Sequence, residues 1–253
     1  MITVNYDKFK IYLEDYEKSF KGWDFSYIES THRAQEQPLN WSYRSIVLNY
    51  LLYASNLLDI GTGGGEFLSS LFPLPKNTIA TESYKPNIQQ AKSKLCPLGV
   101  DVVEINNSGK LPLKNNFFDL IINRHGFYDP DEVNRILKKN CCFITQQVGD
   151  QNAKELNLWF NSKIDNNQWD LKKASKDLLK SNFSLVGEKE IKTKTRFYDV
   201  GAILYFLKAI SWQIPDFTLE KYLINIKKLH NQIESNGYFD VTCHRFLIIA
   251  KKT

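Results

Sequence analysis

The chain has 253 residues, 43% of them hydrophobic and 13% aromatic, with 33 Lys and Arg against 28 Asp and Glu for a net charge of +5. A chain of this length holds a core without disulfides or a structural metal, and it has no apolar run near the roughly 18 residues of a membrane span. Charges at Asp7, Lys8, Lys10, Glu14, Asp15, Glu17 and Lys18 interrupt any secretion signal, so a soluble, cytoplasmic protein that does not enter membranes is expected.

From the N-terminus, Phe9, Tyr12, Leu13, Tyr16 and Phe20 recur at helical spacing and form an aromatic stripe opposite a charged face. Lys21 and Gly22 break this helix. An irregular stretch follows to Pro38, and Asn40 is placed to cap a second helix with Ile46, Val47, Tyr50 and Leu51 on one face. From Asn56 onward, short runs rich in branched residues alternate with helical stretches, which predicts parallel strands joined by crossover helices. Strands are predicted at 56–60, 78–82, 100–105, 118–123 and 141–148. Helices are predicted at 64–72, 86–96, 130–138 and 152–181, the last broken near Asn166. This is a doubly wound α/β architecture. Beyond it, 183–198 and 238–251 read as a pair of long strands. Between them Leu219, Tyr222, Leu223, Ile226, Leu229 and Ile233 keep helical spacing behind a Thr218 cap, and Asn236 and Gly237 end that helix. One domain over 1–253 is expected, with a sheet core at 55–198 and 238–253 and two additions, an N-terminal helical segment at 1–54 and a helical insertion at 199–237, forming a lid. Cys96, Cys141, Cys142 and Cys243 make no CxxC pair, so no metal site or disulfide framework is expected.

The stretch most informative about chemistry is Leu57-Leu58-Asp59-Ile60-Gly61-Thr62-Gly63-Gly64-Gly65-Glu66. An apolar strand carries an acidic residue near its end and then turns on alternating glycines, which lets a ligand approach backbone where a Cβ would collide. Backbone N–H groups at a following helix start favour a carboxylate, and Asp59 offers a negative charge to an ammonium. A dinucleotide loop would need a third glycine where Glu66 stands, and a carboxylate there would face a pyrophosphate. The spacing DxGxGxG fits S-adenosylmethionine instead, whose amino-acid end carries both a carboxylate and an ammonium. Glu82 closes the second predicted strand, where a carboxylate can accept both hydroxyls of a ribose. Asn107 and Ser108 follow the third strand and can hydrogen-bond an adenine edge, although both residue types also favour ordinary turns.

With these motifs the chain resembles the class I S-adenosylmethionine-dependent methyltransferases over about 55–150. The resemblance rests on LLDIGTGGGEFL, the acidic residue in IATES, INNSGKLPLKNNFFDLII and DEVNRILKKNCCFITQQVG. Asn107 stands where the family commonly has Asp, and Asn140 and Cys141 stand in place of a usual Gly pair. The resemblance implies a Rossmann-like, seven-stranded sheet with the last strand antiparallel. It also implies a cofactor site of Asp59, Gly61, Thr62, Gly63, Gly65, Glu82, Ser83, Asn107, Ser108 and Asn123, with S-adenosyl-L-methionine as the cofactor.

In such a reaction the protein positions the reactants and excludes water, and a general base is optional. Asn123, Arg124 and His125 follow the fourth strand. His125 is the expected base, Arg124 either holds an acidic substrate or pairs with Asp129 or Asp131, and Gln146 or Gln147 orients the acceptor. Trp41, Tyr128 and Tyr198 are the expected acceptor contacts, among aromatics that include Trp23, Tyr43, Trp212 and Phe217. A small-molecule acceptor is expected. An RNA acceptor is the alternative, suggested only by the 11 basic and 7 acidic residues beyond residue 185, and a non-catalytic binding protein is a further one.

Overall fold

The structure is a computed structural model, and it describes residues 6–20, 24–106, 110–163 and 168–253, without the side chains of Tyr6 and Asp7. In chain order the elements are α1 (Tyr6–Glu14), α2 (Ser26–Glu29), β1 (Ala34–Glu36), α3 (Tyr43–Leu51), β2 (Asn56–Ile60), α4 (Glu66–Ser69), β3 (Asn77–Glu82), α5 (Lys85–Leu95), β4 (Asp101–Glu104) and β5 (Phe118–Arg124). They continue with α6 (Pro130–Ile136), β6 (Leu137–Val148), α7 (Lys154–Trp159), α8 (Leu171–Lys180), β7 (Phe183–Phe197), α9 (Val200–Ala209), α10 (Leu219–Asn236) and β8 (Phe239–Lys252). Among the described residues no helix is long and apolar enough to cross a membrane.

The strands form one mixed sheet in the order β1-β7-β8-β6-β5-β2-β3-β4. Strands β4, β3, β2, β5 and β6 run parallel, and β8 lies antiparallel on β6. The sheet has eight strands rather than the expected seven. The extra one is β1, three residues paired antiparallel with the end of β7, with Ala34 opposite Phe197. Its segment carries no alternating pattern, so only the pairing partner makes it a strand.

The chain divides into two compact units. One holds 1–39, 150–167 and 192–244, the other 40–149, 168–191 and 245–253. Against the expected additions of 1–54 and 199–237, the division gives 40–54 to the unit of the sheet core and 150–167, 192–198 and 238–244 to the other. That unit is built on Phe9, Ile28, Leu156, Phe197, Leu204, Ile226 and Leu229, all buried. Within it the Arg33 guanidinium bridges two buried carboxylates, Asp15 at 2.6 Å and Asp199 at 2.7 Å. Asp199 also caps α9 by accepting from Ala202 N. Burying one cation between two anions is tolerable because each charge is matched by hydrogen bonds.

In the second unit strict alternation sends neighbouring strand residues into two different cores. Leu58, Ile121, Phe143 and Phe246 pack in one, while Leu57, Leu120, Ile144 and Leu247 pack in the other with Val47, Leu68 and Ala91. All five residues of β2 are buried, as a parallel strand covered on both faces requires. Several expected boundaries shift. The second helix is capped by Ser42, whose hydroxyl accepts from Ser45 N, and not by Asn40. The helix expected at 64–72 is only the four-residue α4, and the one at 130–138 ends at Ile136, where β6 begins. The span 152–181 contains α7 and α8, while its expected break near Asn166 lies outside the described residues.

The alternation makes a direct expectation. Leu58→Ala removes a fully buried side chain from the central strand and should cost about 2–5 kcal/mol, read as a lowered denaturation midpoint at unchanged slope.

Candidate functional site

Strand order reverses between β2 and β5, which are paired with each other while the chain proceeds outward from each in opposite directions. Ligands bind beyond the carboxyl ends of strands at such a switch point. Here those ends are Ile60 and Arg124, followed by the glycine turn and by His125-Gly126. The two turns touch. A Cβ on Gly61 would stand 3.6 Å from Gly126 Cα, and one on Gly126 would stand 3.0 Å from Asn123 Nδ2.

Gly61, Gly63 and Gly65 have φ of +71°, +63° and +83°, a left-handed backbone that side chains disfavour. The turn is fastened to the end of β3. Gly61 N donates to Thr81 Oγ1 at 3.3 Å, Thr62 N to Thr81 O at 2.9 Å, and Gly63 N to Glu82 Oε2 at 2.7 Å. This corrects an expectation, because three amides read as ligand donors are used to hold the turn itself. The helix that follows has only four residues and begins with Glu66, which pairs with Lys94 at 2.7 Å, so a helix dipole adds little for a carboxylate here.

Asp59 and Glu82 flank the turn, and both are buried. Burial pushes the Asp59 carboxyl up to about 7; the Glu82 charge pushes the same way, while Thr62 and Arg124 act against it. The Thr62 hydroxyl lies near Asp59 but is buried without a hydrogen bond of ordinary geometry. Glu82 Oε1 accepts from Ser83 N at 2.8 Å and Tyr84 N at 2.7 Å, so its carboxylate is fixed in orientation with lone pairs to spare. Ser83 enters the site through this backbone amide.

Asn123 is fully buried and cross-links the switch point. Its Nδ2 donates to Ile60 O at 2.9 Å, and its Oδ1 accepts from Thr145 Oγ1 at 2.9 Å and Gln147 Nε2 at 2.6 Å. Expected to contact the cofactor, its side chain is instead committed to protein partners. Its backbone oxygen accepts from Tyr43 OH at 3.0 Å.

Gln146, one position from Gln147 and so on the opposite sheet face, makes a different set of contacts. Its Oε1 accepts from Trp41 Nε1 at 2.8 Å, and its Nε2 lies 3.1 Å from His125 Nε2. His125 has φ +62°, an unusual backbone for a side-chain residue and one that tends to persist at functional sites. Its residue is exposed to solvent, with protein packed around the ring. The enclosure lowers its pKa well below the ordinary value, and the charges of Arg245 and Arg124 lower it further. Arg124 is exposed and does not pair with Asp129 or Asp131. Its guanidinium lies over the Phe67 ring at 5.3 Å, while the Asp129 carboxylate caps α6 through Asp131 N and Glu132 N.

The turn, Asp59, Glu82, Asn123, Arg124, His125, Gln146 and Trp41 are therefore brought together. Tyr128 is not, since it is buried against Phe143 and Trp169. Tyr198 belongs to the other compact unit, where its hydroxyl meets Gln35 at 3.2 Å. Asn107 and Ser108 lie outside the described residues, as does Trp23. Thr81, Thr145, Gly126 and Phe67 were not foreseen. A threonine before Glu82 and a glycine after His125 were visible, but nothing in the pattern paired them with the glycine turn.

The residues present fit S-adenosylmethionine. A buried carboxyl whose charged form burial disfavours suits an ammonium, a fixed carboxylate with spare lone pairs suits a ribose, and the turn lacks Cβ atoms where it meets Gly126.

Residues 58–142 match the family described as methyltransferase domain. No curated protein sequence matches the chain. Among solved structures, the chain is similar to a proposed methyltransferase from Bacillus halodurans C-125, at 16% identity and TM-score 0.59 over 84% of this chain and 99% of that one. It is also similar to the [4+2]-cyclase SpnF, at 13% identity and TM-score 0.52 over 98% and 94%. A third is a geranyl diphosphate C-methyltransferase from Streptomyces coelicolor A3(2), at 12% identity and TM-score 0.50 over 83% and 78%. At these identities the structural likeness shows the fold alone, and the family match is confined to 58–142. Residues 58–142 thus match a methyltransferase domain, set in the Rossmann-like α/β fold of the solved methyltransferase structures that the chain resembles.

Proposed function

We propose that this enzyme transfers a methyl group from S-adenosylmethionine to a small-molecule acceptor presented at the end of β5. The observation that carries the cofactor half is the glycine turn held against Glu82, with the buried Asp59 carboxyl beside it. Asp59 would hold the ammonium, Glu82 the ribose hydroxyls, and the turn would lie against the amino-acid portion. When bound, S-adenosylmethionine supplies an activated methyl group for in-line attack by the acceptor.

The chain's own residues supply position. Asn123 fixes the distance between β5 and β2, and Trp41, Gln146 and His125 form a rigid wall next to the turn. Rigid placement of reacting groups is the main catalytic resource for a donor already activated. The neighbour from Streptomyces acts on geranyl diphosphate, a small molecule, and a small acceptor is the reading adopted for this chain as well.

Asp59→Ala or Glu82→Ala should weaken binding of S-adenosylhomocysteine at least tenfold in calorimetry, and unchanged affinity would remove the cofactor assignment. The Asp59 carboxyl titrates at about 7 in the free protein and an ammonium favours its ionised form. Affinity of the wild type should therefore fall about tenfold from pH 8 to pH 6, and Asp59→Asn should abolish that dependence.

Stability should move the opposite way. In the unfolded chain an Asp ionises near 4, so burial of the charged form penalises folding fully above pH 7 and not at all below about 4. Asp59→Asn is expected to raise the melting temperature of the ligand-free protein at pH 8, with the gain vanishing towards pH 4.

Acceptor class is read from salt. Turnover of a small acceptor should change little with ionic strength, whereas RNA binding with a steep salt slope would replace this reading.

A further inference from the structure

The groups left without partners at the end of β5 say what the acceptor side is built to receive. Arg124 makes no hydrogen bond or ion pair among the described residues, although Asp129 and Asp131 are close in sequence. Stacking on Phe67 holds its guanidinium in place without occupying its donors.

His125 is fixed in a definite state by its neighbours. An indole N–H only donates, so the Gln146 oxygen must face Trp41, at 2.8 Å, and the Gln146 NH2 must face His125. That NH2 lies 3.1 Å from Nε2, which must then offer a lone pair. A neutral imidazole with Nε2 as acceptor carries its proton on Nδ1, and Nδ1 has no partner among the described residues. The lone pair that a general base would use is already engaged. What His125 presents is a donor, since the protein packed around the ring, and after it the nearby guanidinium charges, disfavour the imidazolium.

Two donors on consecutive residues, one of them a cation close enough to act on the other electrostatically, follow a strand whose neighbouring turn has its amides largely consumed by β3. We propose that Arg124 and the Nδ1–H of a neutral His125 form an anion-receiving site for a carboxylate or phosphate, with Trp41 and Gln146 as the positioning residues that set the His125 tautomer. The proposal builds on the methyltransferase reading and adds the charge class of the bound group. Two sources share this chemistry, an anionic acceptor and the amino-acid carboxylate of the cofactor. His125 acts here as a binding group rather than as the base expected from its place in the sequence.

Inorganic phosphate, compared with chloride at equal ionic strength, is the probe. It should raise the melting temperature of the wild type, and Arg124→Gln, which replaces an exposed side chain, should weaken phosphate binding at least tenfold. If the phosphate effect persists in protein saturated with S-adenosylhomocysteine, the anion belongs to the acceptor. If S-adenosylhomocysteine abolishes it, and Arg124→Gln weakens S-adenosylhomocysteine tenfold while leaving 5′-methylthioadenosine unchanged, the anion is the cofactor carboxylate. Equal phosphate effects in wild type and Arg124→Gln, together with unchanged S-adenosylhomocysteine affinity, would overturn the site.

The His125 arm is read by nitrogen NMR. At pH 7 the ring should show a protonated Nδ1 and a bare Nε2, and Gln146→Leu should shift it towards the other tautomer. An Nε2–H tautomer or an imidazolium in the wild type would overturn the donor assignment. Phosphate binding without S-adenosylhomocysteine binding would sink the cofactor reading and leave the anion site standing.

Discussion

Everything at the site depends on how the glycine turn is held. A turn of left-handed glycines is conformationally free and loses more entropy on ordering than any other sequence. Three backbone amides donated to Thr81 and Glu82 supply the restraint, and Asn123 supplies a second one by joining β5 to β2 across the switch point. With both in place the two turns meet in ordinary contact, and glycine is demanded by the left-handed φ at Gly61 and by Asn123 Nδ2, 3.0 Å from where a Gly126 Cβ would stand. Glu82 then serves two purposes at once, since the carboxylate that pins Gly63 is held by Ser83 N and Tyr84 N in one orientation.

The restraint shapes what the site has left to offer. Amides spent on β3 are not offered to a ligand, and a four-residue helix opening on Glu66 gives little attraction to an anion. Negative charge in a ligand must therefore find its partner elsewhere, and among the described residues Arg124 on β5 is a cation with neither a hydrogen bond nor an ion pair. Asp59 carries the opposite property. It is a buried carboxyl whose charged form is disfavoured until a cation arrives, which makes the pocket responsive to an ammonium.

Some residues that look chemical in a linear reading hold scaffolding in place. Glu132 accepts from Leu111 N at 2.9 Å and pairs with Arg135, whose guanidinium also reaches the oxygens of Leu111 and Leu113. The acidic and basic positions of DEVNRIL thus fasten the loop before β5. Asp119 does similar work at the start of the strand itself, accepting from the Ser55 and Asn56 amides. These contacts keep β5 in register with β2, which is what places Arg124 and His125 beside the turn.

The sequence by itself determined the parallel core, because buried parallel strands need apolar runs and crossover helices need a 3.6-residue period, and both are written locally. It also determined the turn and its two carboxylates, since left-handed backbone demands glycine and the acidic residues sit at strand ends. Only the tertiary structure decided β1, which has no pattern of its own and becomes a strand by pairing with β7. It also decided the fates of Asn123, Tyr128 and His125. Each is a polar or aromatic side chain near a strand end, where linear reading cannot distinguish a ligand contact from a protein contact. For Asn123 and His125, hydrogen-bond partners from β2 and β6, with Trp41 behind Gln146, made that choice, whereas Tyr128 is held by its ring contacts with Phe143 and Trp169.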